Sequence, residues 1–160
     1  MTTSIKGNAT STFGGQVVIP SPAFKLKKTS QQTVSNNTST KITWDTAVFD
    51  LTSDTDLTNN RFTPSVEGYY QVNGLVRIVS LGDGDQTYLL LYKNGSEHKR
   101  LVQVKQGGSG STNLGNSALV YMNGTTDYLE LYARHDYGSD RQIAEDEEQV
   151  SFEGFLARAV

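Results

Sequence analysis

Apolar residues recur at every second position in several short segments of this chain, and this period constrains the fold more than any other feature. A period of two places alternate side chains on opposite faces of an extended strand and excludes a helix. In the longest segment, at 69–79, five residues share one face: Tyr70, Val72, Gly74, Val76 and Ile78. The segment at 127–133 has the same period. We therefore predict half-buried β-strands.

Turn signals separate these segments. Asn94-Gly95 and Asn123-Gly124 each lie between two strand-like runs, and Asn-Gly supplies the two positive-φ positions of a type I′ turn, so both predict hairpins. The acidic segment 141–149 is predicted to be a loop. About ten strands at this spacing predict an all-β, two-sheet jelly roll. Its predicted core comprises Trp44, Tyr70, Leu89, Leu91, Leu129, Leu131 and Phe155.

Size and charge limit the possible functions. The 160 residues suffice for one domain, and the net charge of −3 argues against a nucleic-acid partner bound by bulk charge. No run approaches the ~18 apolar residues of a membrane span, so membrane insertion is not expected. The chain has no cysteine, which excludes disulfides, thiol catalysis and thiolate metal sites.

Catalytic and cofactor-binding patterns are not found in the sequence. His98 and His135 lie far apart, are expected at the surface and cannot form a metal centre on their own. No nucleophile elbow or phosphate-binding loop occurs. We therefore predict that the chain is not an enzyme and holds no cofactor. Asp83 and Asp85 are weak candidates for calcium ligands, and their pattern favours acidic loop residues in contact with water.

The first 21 residues differ from the rest. They lack a sustained strand period, and no acidic residue precedes Asp45, whereas five lysines do. We predict an N-terminal arm at 1–21 and a head domain at 22–160. The arm either docks on an acidic partner or is simply solvated. Its candidate contact residues are Lys6, Val17, Val18 and Ile19.

Tyrosine is the most frequent aromatic residue, with eight copies. Tyr69, Tyr128 and Tyr132 fall on the faces of their strands opposite the aliphatic residues. Such tyrosines either pack across strands on a solvated sheet or contact another chain or ligand.

Several short motifs resemble one family. Phe62-Thr63-Pro64 followed by Gly68 and Tyr70 resembles a signature of the globular heads of complement component one q and their tumour-necrosis-factor relatives. The resemblance also includes Pro22-Ala23-Phe24 and, at the end, Phe152-Glu153-Gly154-Phe155-Leu156. It implies a ten-strand jelly roll that forms a homotrimer. The first and last strands would lie side by side in the sheet that faces the three-fold axis. The residues expected to form the core and trimer signature are Phe24, Phe62, Gly68, Tyr70, Phe152, Gly154 and Phe155.

Two functions fit this resemblance. The sequence has no collagen-like stalk and no secretory signal, and so resembles a stand-alone bacterial or phage version. The first hypothesis is a structural homotrimer on a virus or phage particle, assembled in the host cytoplasm. It would be a capsid decoration or a tail-fibre knob, attached to a capsid or tail protein through the arm. The alternative is a receptor- or glycan-binding head of a fibre or cell-surface protein.

Overall fold

The computed structural model describes residues 21–146 and 148–160, and within them all regular structure is β-strand. The strands in chain order are β1 (Ala23–Lys27), β2 (Gln32–Val34), β3 (Thr40–Lys41), β4 (Thr46–Asp50), β5 (Thr55–Asp56), β6 (Arg61–Phe62), β7 (Glu67–Leu81), β8 (Gln86–Lys93), β9 (Ser96–Lys105), β10 (Gly110–Asn123), β11 (Leu129–His135), β12 (Arg141–Ile143) and β13 (Ser151–Ala159).

Two antiparallel sheets form a jelly roll. Sheet A has the order β2-β12-β7-β13-β1-β4, and β10 also pairs with β7. Sheet B has the order β5-β6-β11-β8-β9, and β3 also pairs with β11. The first and last strands, β1 and β13, are neighbours, as the resemblance implied. The described residues form thirteen strands rather than ten, and five of these strands have only two or three residues.

The core lies between the two sheets. The period-two faces of β7 and β11 are buried as predicted, because a slip of one residue would turn each apolar set to water. Four signature aromatics pack together at one end: Phe24 stacks on Phe62 with ring centroids 4.1 Å apart, and it meets Phe152 edge-on at 5.0 Å. Tyr70 meets Phe62 at 5.5 Å.

Two glycines of the signature allow the backbones of β7 and β13 to approach closely. A Cβ on Gly154 would lie 2.8 Å from the carbonyl oxygen of Gln71, and one on Gly68 would lie 2.3 Å from that of Arg158. A side chain at either position would therefore push β7 and β13 apart.

Strand pairing tests the two predicted hairpins. Asn94 and Gly95 both have positive φ and close the β8–β9 hairpin, as expected. The hairpin predicted at Asn123-Gly124 is wrong: β10 pairs with β7 in sheet A, and β11 belongs to sheet B. The Asn123 side chain instead accepts hydrogen bonds from the amides of residues 125–127, which turns the chain from one sheet to the other.

Two further expectations differ from the structure. His135 is buried, not at the surface: its Nε2 lies 2.9 Å from the Val34 carbonyl oxygen, and its Nδ1 accepts a hydrogen bond from the Tyr137 amide. The segment 141–149 begins as β12, which pairs with β2 and β7 before the chain turns.

Candidate assembly surface

The outward face of sheet A exposes large apolar side chains. Five large residues on this face are partly exposed to water. The exposed fractions are 59% for Leu119, 49% for Phe155, 43% for Phe49, 43% for Tyr69 and 39% for Tyr121. We call these five residues the sheet A face. A contiguous apolar patch of this kind on a folded domain marks a contact surface.

Strand register brings these side chains together. Phe155 on β13 and Leu119 on β10 both pair with Gln71 on β7, so they lie on either side of it in one row across the sheet. In the next row Tyr69 pairs with Tyr121, and their rings meet edge to face at 5.6 Å. Four of the five side chains thus lie in two adjacent rows, one of which has the polar Gln71 at its centre.

Phe155 corrects a prediction. It was expected in the core, but 49% of its surface is exposed. The reason is the period of β13: Phe152 and Gly154 point into the sandwich, so Phe155 points out of it. Its burial depends on something outside the single chain.

A recess of about 300 Å³ opens on this face. Its lining comprises Ala23, Phe24, Phe49, Asn73, Glu153, Gly154 and Phe155. The Glu153 carboxylate lies 3.8 Å from the Lys25 Nζ, so its charge is compensated. An apolar side chain can therefore enter the recess without leaving the Glu153 carboxylate buried and unpaired.

Glu67 borders the patch. The Tyr121 hydroxyl donates a hydrogen bond to the Glu67 carboxylate. This bond is the main cause that raises the pKa of Tyr121 above its ordinary value, since the bond favours the protonated phenol. The Tyr121 phenol therefore stays protonated to a higher pH than an ordinary tyrosine does.

The three tyrosines singled out from the sequence lie on different sheets. Tyr69 belongs to the sheet A face, whereas Tyr132 lies on the outward side of sheet B and stacks on Tyr92 at 3.9 Å. Tyr128 is covered by Arg61, whose Cζ is 4.8 Å from the ring centroid. Burial, followed by the nearby Glu130 charge, raises the pKa of Tyr132 to about 12.

The calcium candidates bind their own loops. The Asp83 carboxylate accepts the Gly108 amide at 2.7 Å, and the Asp85 carboxylate accepts the Gly82 amide at 2.6 Å. Within residues 21–146 and 148–160, no group of three His, Asp or Glu side chains could hold a metal ion. The geometry therefore adds no support for calcium here.

The predicted arm contacts Lys6, Val17, Val18 and Ile19 lie outside the described residues. The tether therefore stays a prediction. In the part of the chain that is described, no helix has the length and apolar character needed to cross a membrane.

The family model of the C1q domain matches residues 23–157. The chain belongs to the C1q domain family. C1q domains are non-enzymatic ligand-binding or structural modules, which confirms the prediction that the chain is not an enzyme. A comparison with curated proteins found no match.

Solved structures share the fold of this C1q domain at low sequence identity. The structure of Eiger TNF from S. frugiperda is 15% identical, covers 89% of this chain and 96% of its own, and has a TM-score of 0.64. The globular domain of zebrafish complement 1qA is 18% identical, with coverages of 88% and 99% and a TM-score of 0.55. Murine APRIL at pH 5.0 is 9% identical, with coverages of 85% and 98% and a TM-score of 0.61.

Sequence reasoning missed part of the sheet A face. The sequence analysis did not predict Phe49, Leu119 and Tyr121 as contact residues, although one signal for β10 was present. Residues 118–122 are apolar without a polar alternate, and such a strand has both faces covered. In the single chain only one face of this strand is covered, by the core.

Proposed function

We propose that this C1q domain is the binding head of a homotrimer, in which the sheet A face packs around the three-fold axis. The observation that carries the proposal is the contiguous exposure of five large apolar side chains on one sheet. Contact of these apolar side chains with water is unfavourable, and association with another surface would remove it.

A second and third copy are the occupants that fit this face. C1q and tumour-necrosis-factor domains form homotrimers and bind receptors or other ligands. The face also offers both parts of a self-complementary contact: the recess beside Phe49, and protruding Leu119 with 59% of its surface exposed. The two lie toward opposite edges of the same face of sheet A, so a ring of three copies can place Leu119 of one copy against the recess of the next.

Assembly through sheet A leaves sheet B and its loops at the outside of the trimer. We place the ligand-binding surface there. Since C1q and tumour-necrosis-factor domains are typically extracellular or at a cell surface, we propose the same location for this head.

The virion hypothesis has less support. Its anchoring step depends on residues 1–21, of which 1–20 lie outside the described residues, and the C1q domain match supports a binding head without pointing to a particle. A knob on a particle is still compatible with a trimeric head, and the truncation below tests attachment through the arm.

Cysteine labelling tests the packing of sheet A, because the chain has no cysteine of its own. Ser117 is exposed on the outward side of β10, and Ser96 is exposed at the start of β9 in the other sheet. In the trimer, S117C should react with a maleimide far more slowly than S96C. Equal rates at micromolar protein would overturn the proposal that this side of sheet A is covered.

A further inference from the structure

A second ordered surface lies on the outward side of sheet B, across the sandwich from the sheet A face. Tyr92 of β8 and Tyr132 of β11 stack there with ring centroids 3.9 Å apart, and Tyr88 precedes Tyr92 on β8. Leu90 pairs with Tyr132 and lies between Tyr88 and Tyr92 on the same side of β8, and it is only 2% exposed although it is not part of the cluster between the sheets. These rings therefore form a packed apolar layer on top of the sheet.

Two arginines converge on this layer at Tyr88. The Arg100 Cζ lies 5.1 Å from the centroid of the Tyr88 ring, and the Arg134 Cζ lies 5.4 Å from it. They come from β9 and β11, the two strands that flank β8. Contact with an aromatic ring attracts a guanidinium and restricts its motion.

Neutral amides complete the support of both arginines. Arg100 Nη1 donates to the Gln103 side-chain oxygen at 2.9 Å, and Gln103 in turn donates to Gln86. Gln86 also accepts the Tyr88 hydroxyl at 3.1 Å. Arg134 Nη2 donates to the Asn37 side-chain oxygen. These amides hold the guanidinium groups without neutralising them.

The charges of Arg100 and Arg134 are not compensated. Among the described residues, neither guanidinium has a carboxylate within 4.0 Å, whereas neighbouring Lys41 lies 2.8 Å from Glu130. Two uncompensated positive charges thus stand together on a chain whose net charge is −3. Such a pair is complementary to an anion.

We propose that this surface binds an acidic glycan. We call it the Tyr88 platform and define it by Tyr88, Tyr92, Arg100, Tyr132 and Arg134. Sulfate or carboxylate groups at the edge of a sugar would accept hydrogen bonds from the two arginines, because guanidinium matches these groups in a bidentate manner. The C–H groups of the sugar would contact those parts of the tyrosine rings that their mutual stacking and the two arginines leave uncovered.

The position of the platform favours a glycan over an acidic peptide. The backbone of β8 is paired with β9 on one side and β11 on the other. A peptide therefore has no free strand edge at Tyr88 to extend. The inference rests on the proposed function in one respect: a trimer built through sheet A leaves the platform exposed.

Calorimetry on the full chain in about 150 mM NaCl tests the site, at an ionic strength where diffuse attraction is screened. The ligands are a heparin hexasaccharide, a neutral dextran oligosaccharide and a glutamate hexapeptide. The test variant is R100Q/R134Q. The matched control is K99Q/K105Q, which removes the same charge from exposed residues of β9 outside the platform. R100K/R134K keeps the charge and removes the guanidinium geometry.

We expect the heparin hexasaccharide to bind and the dextran not to bind. R100Q/R134Q should weaken heparin binding by about tenfold or more, and R100K/R134K should also weaken it, because charge-assisted bonds to both guanidinium groups are lost. The control should change affinity by less than about threefold. The proposal is overturned by any of three results: no heparin binding, equal losses in test and control variants, or tighter binding of the glutamate peptide.

Light scattering on each variant separates this inference from the proposed function. A monomer that binds heparin through the two arginines supports the platform and contradicts the trimer. A trimer that does not bind heparin overturns the platform alone.

Discussion

Replacing Phe155 with alanine should weaken trimer assembly while leaving the fold of each subunit intact. Phe155 is 49% exposed in the single chain. On a side chain that buries about 200 Å², this leaves about 100 Å² for an interface, worth about 2.5 kcal/mol at about 25 cal/mol per Å². Alanine retains part of that area, so we expect a loss of about 2 kcal/mol per subunit and about 6 kcal/mol per trimer.

This loss corresponds to a change of about 10⁴ in the trimer association constant. The midpoint concentration of a monomer–trimer equilibrium follows the square root of that constant, so it should rise by about a hundredfold. Fluorescence-detected sedimentation across a dilution series measures this midpoint directly. The reasoning is refuted if Phe155→Ala shifts the midpoint by less than about threefold while the variant stays folded.

Two control variants show whether Phe155→Ala acts on assembly or on folding. Leu57 has a similar exposure of 38% but lies between β5 and β6, away from the sheet A face, so Leu57→Ala should leave the midpoint unchanged. Phe152 is fully buried three residues from Phe155, and Phe152→Ala should lower the free energy of unfolding by ~3–5 kcal/mol. The contrast separates assembly from folding.

The remaining predictions concern the core, pH and the arm. Leu131 is fully buried, so Leu131→Ala should cost ~2–5 kcal/mol in urea unfolding, and a loss below about 1 kcal/mol would mean that its face is misassigned. Burial acts to raise the pKa of Asp50, but hydrogen bonds from the Thr55 hydroxyl and amide and from the Asp54 amide outweigh it and lower that pKa. Because the pKa of Asp50 is lower in the folded state, its contribution to stability is present above about pH 4 and is lost as pH falls further. The free energy of unfolding in urea should therefore fall less steeply with decreasing pH in Asp50→Asn than in the unchanged protein. The same slope in both proteins would contradict this prediction. Deleting residues 1–21 should preserve the melting temperature and oligomeric mass and abolish attachment to any assembly that the arm tethers; failure to fold, or unchanged attachment in a pull-down, would contradict the tether.

Sequence patterns predicted the sheets well because strand burial is set locally. In β7 and β11 the period of two decides which side chains enter the core, and a register slip would expose them all. The hairpin at Asn94-Gly95 was predictable for the same reason, since the two residues themselves supply the required positive φ.

Non-local features were not predictable in this way. Asn123-Gly124 has the same letters as Asn94-Gly95, but its flanking strands choose partners in different sheets. One contact that holds this crossover is the ion pair between Lys93 and Asp127 at 2.8 Å. The Asn-Gly dipeptide does not indicate which strands its two flanking strands will pair with.

The candidate assembly surface was predicted only in part. Phe155 was recognised as important from the motif, but its aromatic character suggested the core rather than an outer face. The Tyr88 platform was missed because its arginines come from β9 and β11, which only the sheet order brings to either side of β8. Tyr132 alone was flagged from its strand period.

The mass of the full chain in solution tests the central claim most directly. Multi-angle light scattering at micromolar protein should give three times the 17.5 kDa mass of one chain. A folded particle with the mass of a single chain at that concentration would contradict the trimer and leave the sheet A face without its proposed partner.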